Sequence, residues 1–246
     1  MSVLELSTVS KSYAGQTVLH GICLDFAEGD VTAIVGASGC GKSTVLKLCN
    51  GLLKPDSGEV LAFGAPLDYQ RLPAVRQRMG YAVQGMGLFP HMTAAENISI
   101  GARVAGWSGQ QIAVRISELL QLMHLEERLL ARYPHELSGG QQQRVGLCRA
   151  MMLRPEVLLL DEPFAAIDPI TRFDIHQQLQ QLLAAEPVTV VLVTHDMREA
   201  MLLAQQIVVL DKGVVRINER TDTLQSQQPN LEPEALLQSL MRGAAP

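Results

Sequence analysis

The chain has few aromatic residues, no surplus of basic residues and no long apolar run. Each of these shortages excludes some classes of protein. Aromatics make up 4% of the 246 residues while 47% are hydrophobic, which is typical of an Ala-, Leu- and Val-rich layered α/β protein. The formal net charge of −5 leaves no surplus of Lys and Arg to neutralise many phosphates, so no nucleic-acid partner is expected. No run approaches the roughly 18 to 20 apolar residues that cross a bilayer, so we expect any membrane role to come through a partner.

The cysteines exclude two further kinds of site. They show no C-x-x-C spacing, which argues against a zinc site and against a disulfide framework; they are Cys23, Cys40, Cys49 and Cys148. We expect reduced thiols in a cytosolic protein. The opening residues Met1–Glu5 have no basic segment before an apolar one, so no secretory signal peptide is expected.

A glycine-rich segment is the most informative feature that is present. Residues 36–43 read Gly-Ala-Ser-Gly-Cys-Gly-Lys-Ser and match the P-loop pattern G-x-x-x-x-G-K-[ST], after the apolar run Val31–Val35 and before a helical stretch. Its glycines let backbone N–H groups and a helix N-terminus face phosphates. Lys42 is expected to reach the β- and γ-phosphates of ATP, and the Ser43 hydroxyl to bind Mg²⁺. The candidate nucleotide-binding residues in this segment are Gly36, Ser38, Gly39, Cys40, Gly41, Lys42, Ser43 and Thr44.

The alternative for this segment is a glycine-rich turn that arose by chance. The strand before it and the helix after it disfavour that alternative, because they are the context in which a P-loop works. Cys40 lies inside the segment, where modification of its thiol is expected to obstruct phosphate binding. A catalytic role for this thiol is not expected.

A carboxylate pair, Asp161-Glu162, follows the apolar run Val157–Leu160. Open α/β sheets bind ligands at the C-terminal ends of their strands. There Asp161 suits the Mg²⁺ shell, and Glu162 suits the group that orients the attacking water in phosphoryl transfer. The alternative is an exposed turn with a helix-capping Asp.

A second glycine-containing turn, Ser138-Gly-Gly-Gln141, is called the Ser138 turn below. On its own it is an ordinary capping box, with Ser138 as the N-cap and Gln141 reaching back. A capping box does not need Gly139 and Gly140, each of which costs about 1 kcal/mol of helix propensity. Close approach of a second phosphate group to the backbone would explain them.

Three single residues complete the candidate set. His195 follows the run Val188–Val193 and precedes a predicted Asp196…Glu199 capping box; it suits a γ-phosphate contact, and a structural histidine is the alternative. Gln84 ends a short strand and could bind Mg²⁺ or the lytic water, or be a solvated loop residue. Tyr13 could stack on adenine or be an edge-strand aromatic.

The coarse pattern is α/β, with a P-loop NTPase core of mostly parallel strands and flanking helices, an antiparallel β subdomain and an inserted helical subdomain. The continuous apolar runs predict strands that are buried on both faces. Antiparallel pairs are predicted over Val3–Phe26 and over Ile207–Leu210 with Val214–Ile217, turning at Asp211–Gly213. Between 85 and 153 strand signals are nearly absent, and capping boxes start three helices, at Thr93…Glu96, Ser108…Gln111 and Ser138…Gln141.

We therefore predict a single domain over 1–246. Its α/β core spans 1–84 and 156–220, and its helical subdomain spans 85–155. The tail, 221–246, contains one short amphipathic helix from about Pro233 to Met241.

Taken in order, these motifs and Asp168 resemble the motif set of ATP-binding-cassette transporter ATPases, over roughly Leu4 to Ile217. The resemblance implies ATP and Mg²⁺ as cofactors and a head-to-tail homodimer, in which each ATP lies between one P-loop and the other subunit's Ser138 turn. It implies that Tyr13 stacks on adenine, that Gln84 opens the loop to the helical subdomain, that Asp168 contacts the dimer partner and that His195 is the switch histidine. One departure is visible: residues 164–167 read Phe-Ala-Ala-Ile, where the family more often has Gly or Ser and then Ala-Leu.

A narrower resemblance is to importer ATPases for quaternary-amine osmoprotectants such as glycine betaine and choline. Three segments carry it: Gly87–Thr93, Tyr133–Glu136 and Asp168–Arg172. It implies a peripheral subunit on the cytoplasmic face of the plasma membrane, with transmembrane permease subunits docking near Phe89–Thr93 and an extracytoplasmic solute-binding protein in the same system.

Three alternatives stay open at this point. They are an importer of another small solute, a lipid-trafficking complex and a soluble cassette protein without a transport role. Soluble cassette proteins usually fuse two cassettes or add basic or coiled-coil arms, and the acidic balance and single cassette here disfavour that class.

Overall fold

The computed structural model describes residues 1–83, 85, 87–165, 167–227 and 231–243. The chain forms two compact units, one of Met1–Val75 with Thr189–Pro246 and one of Arg76–Val188. In chain order the strands are β1 Ser2–Tyr13, β2 Gln16–Ala27, β3 Val31–Val35, β4 Ser57–Ala62, β5 Ala65–Pro66, β6 Met79–Ala82, β7 Val157–Asp161, β8 Thr189–Thr194, β9 Gln206–Asp211 and β10 Val214–Arg220. The helices are α1 Lys42–Cys49, α2 Leu72–Gln77, α3 Ala94–Val104, α4 Gly109–Leu122, α5 Gly139–Met151, α6 Pro169–Ala185, α7 Met197–Leu203, α8 Thr221–Gln227 and α9 Pro233–Gly243.

The first unit contains an antiparallel sheet with the strand order β2-β1-β4-β5. Its hairpin turns at Ala14 and Gly15, whose φ angles of 47° and 83° are both left-handed, as a two-residue hairpin turn between twisted strands requires. The hairpin predicted over Val3–Phe26 is thus confirmed. Strand β4 was not predicted, because its first three residues are exposed and it has no clear apolar alternation.

The same unit contains the parallel strands that lead into the P-loop. Strand β3 lies between β8 and β9 and is parallel to both, and β10 pairs antiparallel with β9. Every residue of β3 and β8 is buried, which confirms that the continuous apolar runs mark strands covered on both faces. The predicted pairing of β9 with β10 is also confirmed, with Lys212 and Gly213 at positive φ in the turn.

The second unit pairs β6 with β7 in parallel and places helices α3, α4 and α5 between them in sequence. Two short 3₁₀ helices, Glu127–Ala131 and Pro134–Glu136, precede α5. Over the described residues between 87 and 151 no strand occurs, as predicted, and all three predicted capping boxes are present. Helix α6 follows β7 in the chain.

The C-terminal helices belong to the first unit. Helix α9 begins at Pro233 as predicted, and its Leu236 is 1% exposed. Helix α8 was not predicted, since its Thr, Gln and Ser residues give no apolar period; the hydroxyl of Thr221 anchors it by donating to the Ala204 carbonyl at 2.6 Å. Across the described ranges, no helix combines the length and apolar character needed to cross a bilayer.

Candidate functional site

The P-loop connects the end of β3 to the start of α1. A Cβ on Gly36 would lie 2.1 Å from the Leu210 carbonyl oxygen, so only glycine fits between these backbones. Gly39 and Gly41 have φ angles of 79° and 110°. Gly41 is the N-cap of α1 and supplies no side-chain cap, and the first turn of the helix contains no acidic residue. The helix therefore begins with backbone N–H groups and a positive dipole end that suit an anion.

Lys42 is the charged residue of this loop. Its side chain is 5% exposed, and its Nζ donates to the carbonyl oxygens of Gly36 at 2.8 Å and Ala37 at 3.0 Å. A buried ammonium needs such acceptors, because an isolated charge away from water is costly. The loop backbone thus holds one positive charge at the point where the motif predicts phosphate.

Cys40 packs inside the loop, while Ser38 and Gly39 beside it are exposed. Burial raises the pKa of the Cys40 thiol, so it stays neutral at physiological pH. The Cys40 carbonyl accepts from the N–H of Gly213 at 3.1 Å, and the Gly213 carbonyl accepts from the N–H of His20 at 2.9 Å. These bonds fix the loop to the β9–β10 turn and to β2.

His195 leaves the sheet at the same edge as the P-loop. Val35, the last residue of β3, is registered against Thr194, the last residue of β8, and His195 follows in an exposed position. Asp196 is the N-cap of α7 as predicted, but its side chain accepts from the Arg198 N–H. The predicted pairing of Asp196 with Glu199 gives way to another: the buried Glu199 carboxylate accepts a 2.6 Å hydrogen bond from the Thr194 hydroxyl, which is itself buried at the strand end.

Tyr13 is the last residue of β1 and lies beside the hairpin turn. Its side chain is 43% exposed, and the Lys11 Nζ lies 5.9 Å from its ring centroid. Lys11 is in turn paired with Asp56 at 2.6 Å. The ring is accessible for stacking against a flat ligand.

In the second unit, Asp161 ends the strand β7 and Glu162 follows it. Asp161 is 5% exposed, and burial together with the Asp161 charge raises the pKa of Tyr81 to about 12. Glu162 has a φ of 45°, a left-handed conformation that is uncommon for a residue with a side chain and often marks a functional site. The alternative of a helix-capping Asp161 is wrong, because the N-cap of the next helix, α6, is Asp168.

Gln84 lies outside the described residues. The strand before it, β6, is parallel to β7, with Ala82 registered against Leu160. The chain therefore leaves β6 and β7 at the same edge of this pair.

The Ser138 turn forms the predicted capping box: the N–H of Gln141 donates to Ser138 Oγ at 3.3 Å, and the N–H of Ser138 donates to Gln141 Oε1 at 2.9 Å. Its two glycines differ in their surroundings. A Cβ on Gly140 would lie 2.4 Å from Thr171 Cγ2, whereas a Cβ on Gly139 would meet nothing within 4 Å. The idea that both glycines serve a phosphate is therefore too simple: packing inside the chain accounts for Gly140 and leaves Gly139 unexplained.

Asp168 caps α6 through a 3.0 Å hydrogen bond from the Thr171 N–H. The hydrogen bonds from the backbone and side chain of Thr171 hold the pKa of Asp168 below its usual value. In the preceding segment, where the sequence departs from the family pattern, Phe164 and Ile167 are buried, and Phe164 contacts the His176 ring edge-on at 4.4 Å. Of the residues that depart from the pattern, Ile167 is buried and Ala165 is exposed.

Two residues that the sequence analysis missed shape the Phe89–Thr93 loop. Asn97 is fully buried; its Nδ2 donates to the carbonyls of Phe89, Met92 and Thr93 at 3.0 to 3.1 Å, and its Oδ1 accepts from the Phe89 N–H at 2.8 Å. Arg149 donates to the Gly87 carbonyl at 2.8 Å and lies 5.7 Å from the Phe89 ring centroid. Phe89 stays 41% exposed. The sequence signal for Asn97 was a polar amide on the face of α3 that is otherwise apolar and buried.

The residues fit Mg²⁺ only in company with a phosphate ligand. Within the described part of the chain, no group of three or more His, Cys, Asp or Glu side chains could hold a metal. Mg²⁺ is usually held by one or two carboxylates together with substrate phosphates, and does not need an all-protein cage. The buried carboxylate of Asp161 suits that arrangement.

Comparison with known sequences identifies related proteins. The family model described as "ABC transporter" matches residues 19–165. The chain is 46% identical over 213 residues to the glycine betaine uptake system ATP-binding protein YehX of Escherichia coli (strain K12), a match that covers 87% of this chain and 69% of that protein. It is 43% identical to the glycine betaine/carnitine/choline transport ATP-binding protein OpuCA of Bacillus subtilis (strain 168), over 87% of this chain and 56% of that protein.

The chain is also similar to a protein named for the import of a different substance, and to a solved structure. The Fe(3+) ions import ATP-binding protein FbpC of Mesorhizobium japonicum is 44% identical over 87% of this chain and 59% of that protein. The chain thus spans 56% to 69% of the length of these relatives. A dimeric post-hydrolysis structure of the ATP-binding cassette MJ0796, bound to ADP and Pi, matches with a TM-score of 0.81 and 35% identity over 89% of this chain and 98% of that one.

Proposed function

Since this chain belongs to the ABC transporter family, we propose that it is the ATP-hydrolysing subunit of a membrane importer for quaternary-amine osmoprotectants such as glycine betaine. The observation that carries the catalytic part is the P-loop, in which Lys42 is buried among loop carbonyls at the N-terminus of α1. The relatives named for glycine betaine, carnitine and choline transport support the substrate class.

Nucleotide binding is assigned to the P-loop and Tyr13. The backbone N–H groups from Gly36 to Thr44 bind the phosphates, Lys42 turns its ammonium to the β- and γ-phosphates, and Tyr13 stacks on adenine. Ser43, Asp161 and Gln84 are the proposed Mg²⁺ ligands. When bound, the ion neutralises phosphate charge.

Hydrolysis is assigned to Glu162 and His195. The Glu162 carboxylate accepts a hydrogen bond from the attacking water and orients it in line with the γ-phosphate. Its left-handed backbone sets the direction of the side chain at the end of β7. His195 contacts the γ-phosphate from the edge at which β3 and β8 both end.

The second half of each site comes from another copy of the chain. In this proposal the Ser138 turn of one copy faces the P-loop of the other, and Asp168 contacts the partner copy. The open space around Gly139 supports it, because a phosphate can approach the backbone there without a side chain in the way. ATP closes this head-to-tail dimer and hydrolysis reopens it.

The proposed partners follow from the same assignment. Permease subunits dock near Phe89–Thr93, where Asn97 and Arg149 hold an exposed phenylalanine in a fixed loop. An extracytoplasmic binding protein delivers the solute, and the subunit sits at the cytoplasmic face of the membrane. We keep the division into an α/β core (1–84 and 156–220), a helical subdomain (85–155) and a tail (221–246) as part of the proposal.

A second candidate is an importer of another small solute, which the 44% identity to an Fe(3+) import protein favours. The ATPase subunit does not contact the solute, so the experiment must include the permease. The chain is co-purified with its permease in lipid vesicles, and ATPase activity is measured with glycine betaine, choline or Fe(3+) and the binding protein. Stimulation by a quaternary amine alone supports the first candidate, and stimulation by Fe(3+) alone contradicts it.

The catalytic assignment is tested by Glu162→Gln. An amide cannot act as the carboxylate that polarises water, so we expect ATP to bind while hydrolysis stalls and the closed dimer accumulates. Size-exclusion chromatography with light scattering, with and without Mg-ATP, measures the dimer. Glu162→Asp is the matched control that keeps the charge. A Glu162→Gln protein that stays monomeric with ATP, or that hydrolyses it freely, contradicts the assignment.

A further inference from the structure

A direct contact joins the two features that the proposed function assigns to the partner-facing surface, the Ser138 turn and Asp168. A Cβ on Gly140 would lie 2.4 Å from Thr171 Cγ2 and 3.7 Å from Ile175 Cδ1. The first turn of α5 therefore packs against the first turn of α6 with no side chain between them on the α5 side. The methyl group of Thr171 fills this space.

Thr171 also binds Asp168. Its N–H donates to Asp168 Oδ1 at 3.0 Å, and hydrogen bonds from its backbone and side chain hold the pKa of Asp168 below the usual value. One residue thus touches the Ser138 turn through its methyl group and orients Asp168 through its backbone N–H. A movement of the Ser138 turn should therefore change the position of Asp168, and the reverse.

The far ends of the same two helices are joined as well. Arg115 of α4 is 2% exposed and donates from Nη2 to the Met151 carbonyl, in the last turn of α5, at 2.7 Å. The same Nη2 donates to Glu186 Oε2, at the C-cap of α6, at 2.6 Å, and Nη1 also bonds this carboxylate. Arg154 and Glu118 complete the cluster with a 2.5 Å ion pair.

The Arg115 cluster fixes the position of the ends of α5 and α6 relative to each other, because a planar guanidinium donates hydrogen bonds in set directions. Lys cannot reproduce this forked arrangement of donors. If the helix ends moved apart, the buried Arg115 guanidinium would lose some of its acceptors. Alternative arrangements of the helix ends are therefore unfavourable. Helices α5 and α6 are therefore held near both ends, at contacts about 17 Å apart along α5, from Gly140 to Met151.

We propose that Thr171 and Arg115 are positioning residues that hold α5 and α6 as one element, so that the Ser138 turn and Asp168 engage the second copy of the chain together. The inference rests on the proposed function, since it describes how that dimer interface is prepared. Neither residue is assigned a contact with ATP.

The test uses the Glu162→Gln protein, in which the ATP-closed dimer accumulates. Thr171→Ser removes the methyl group that touches Gly140 and keeps the hydroxyl. Thr171→Val keeps a methyl group there and removes the hydroxyl. Arg115→Lys keeps the charge and loses the fork. For each variant, sedimentation measures ATP-driven dimerisation, and a fluorescent ATP analogue measures nucleotide affinity of the dilute monomer.

We expect Thr171→Ser and Arg115→Lys each to weaken dimerisation roughly tenfold. Monomer nucleotide affinity should stay within about twofold, because neither residue is assigned a contact with ATP or Mg²⁺. Gly140→Ala should partly rescue Thr171→Ser, because the added Cβ occupies the space of the deleted methyl group. The decisive result is the double variant. This variant combines Thr171→Ser with Arg115→Lys. The effects of substitutions at distant sites normally add as free energies, so their fold-losses of dimerisation multiply. A combined fold-loss clearly smaller than that product shows that both residues act on one element.

Three results overturn the inference. The first is unchanged dimerisation in Thr171→Ser. The second is a loss of monomer nucleotide affinity as large as the loss of dimerisation, which indicates a general structural defect. The third is strict additivity of Thr171→Ser and Arg115→Lys. If Glu162→Gln alone does not dimerise with ATP, the proposed function fails and this inference fails with it. If it dimerises and the variants behave as the parent does, only the inference fails.

Discussion

The two glycines of the Ser138 turn make a matched pair, because the same substitution should stabilise the protein at Gly139 but not at Gly140. Gly139 and Gly140 are neighbours in the first turn of α5, and Ala at either position adds one Cβ. At Gly139 the Cβ meets nothing within 4 Å, so replacement should recover most of the helix propensity that glycine forfeits, up to about 1 kcal/mol. In a protein of 246 residues this raises Tm by about 2 °C.

At Gly140 the same Cβ would lie 2.4 Å from Thr171 Cγ2, and something must move. Overpacking a tight contact typically costs about 1 to 3 kcal/mol, which exceeds the gain in propensity. We expect Gly140→Ala to be neutral or less stable than the parent by up to about 2 kcal/mol, and Gly139→Ala to be more stable.

Urea denaturation followed by circular dichroism measures both effects as shifts of the transition midpoint at unchanged slope. The functional counterpart is ATP-driven dimerisation in the Glu162→Gln background, which Gly139→Ala should impair although it stabilises the fold. Destabilisation by Gly139→Ala as large as that by Gly140→Ala would refute the structural reasoning. Normal dimerisation of a more stable Gly139→Ala protein would refute the role of Gly139 at the interface.

Two further predictions concern groups away from the proposed site. A maleimide at pH 8 should label exposed Cys23 quickly, but not Cys49 or Cys148, because burial raises the pKa of both thiols to about 12; intact-protein mass spectrometry before and after unfolding checks this. The hydrogen bond from Arg78 lowers the pKa of Glu156 below its usual 4.5, so the stability it contributes is complete above pH 4.5 and is lost as pH falls through the lowered value. Urea unfolding at pH 6 and pH 4 should show a smaller acid-induced loss in Glu156→Gln than in the parent, and equal losses would contradict the assignment.

Much of the fold could be predicted because local chemistry and global structure agree. The apolar runs at β3, β7 and β8 are continuous because both faces of these strands are covered. The capping boxes at Thr93, Ser108 and Ser138 use only residues within four positions of one another, so a single sequence contains all the information.

What sequence could not predict depends on contacts between distant residues. Gly58 brings β4 close to the backbone carbonyls of Ser7 and Thr8, where a Cβ would lie 2.4 to 2.5 Å from their oxygens, and no local pattern announces that approach. Asn97 is one polar residue on a helix until its bonds to the Phe89–Thr93 loop are seen. The close packing of Gly140 against Thr171, 31 positions away, likewise has no signal in the local sequence.

The composite site is the central claim, and mixing two inactive subunits tests it most directly. A Lys42→Ala subunit has a defective P-loop, and a Ser138→Arg subunit has a defective Ser138 turn; each is expected to be inactive when it pairs with itself. If each site is built from two copies, the mixed dimer gathers both defects in one site and leaves the other intact. Trapping of radiolabelled ATP reports this better than turnover does, because hydrolysis can require both sites. The account predicts one occluded ATP per mixed dimer, and trapping no better in the mixture than in either variant alone would contradict it.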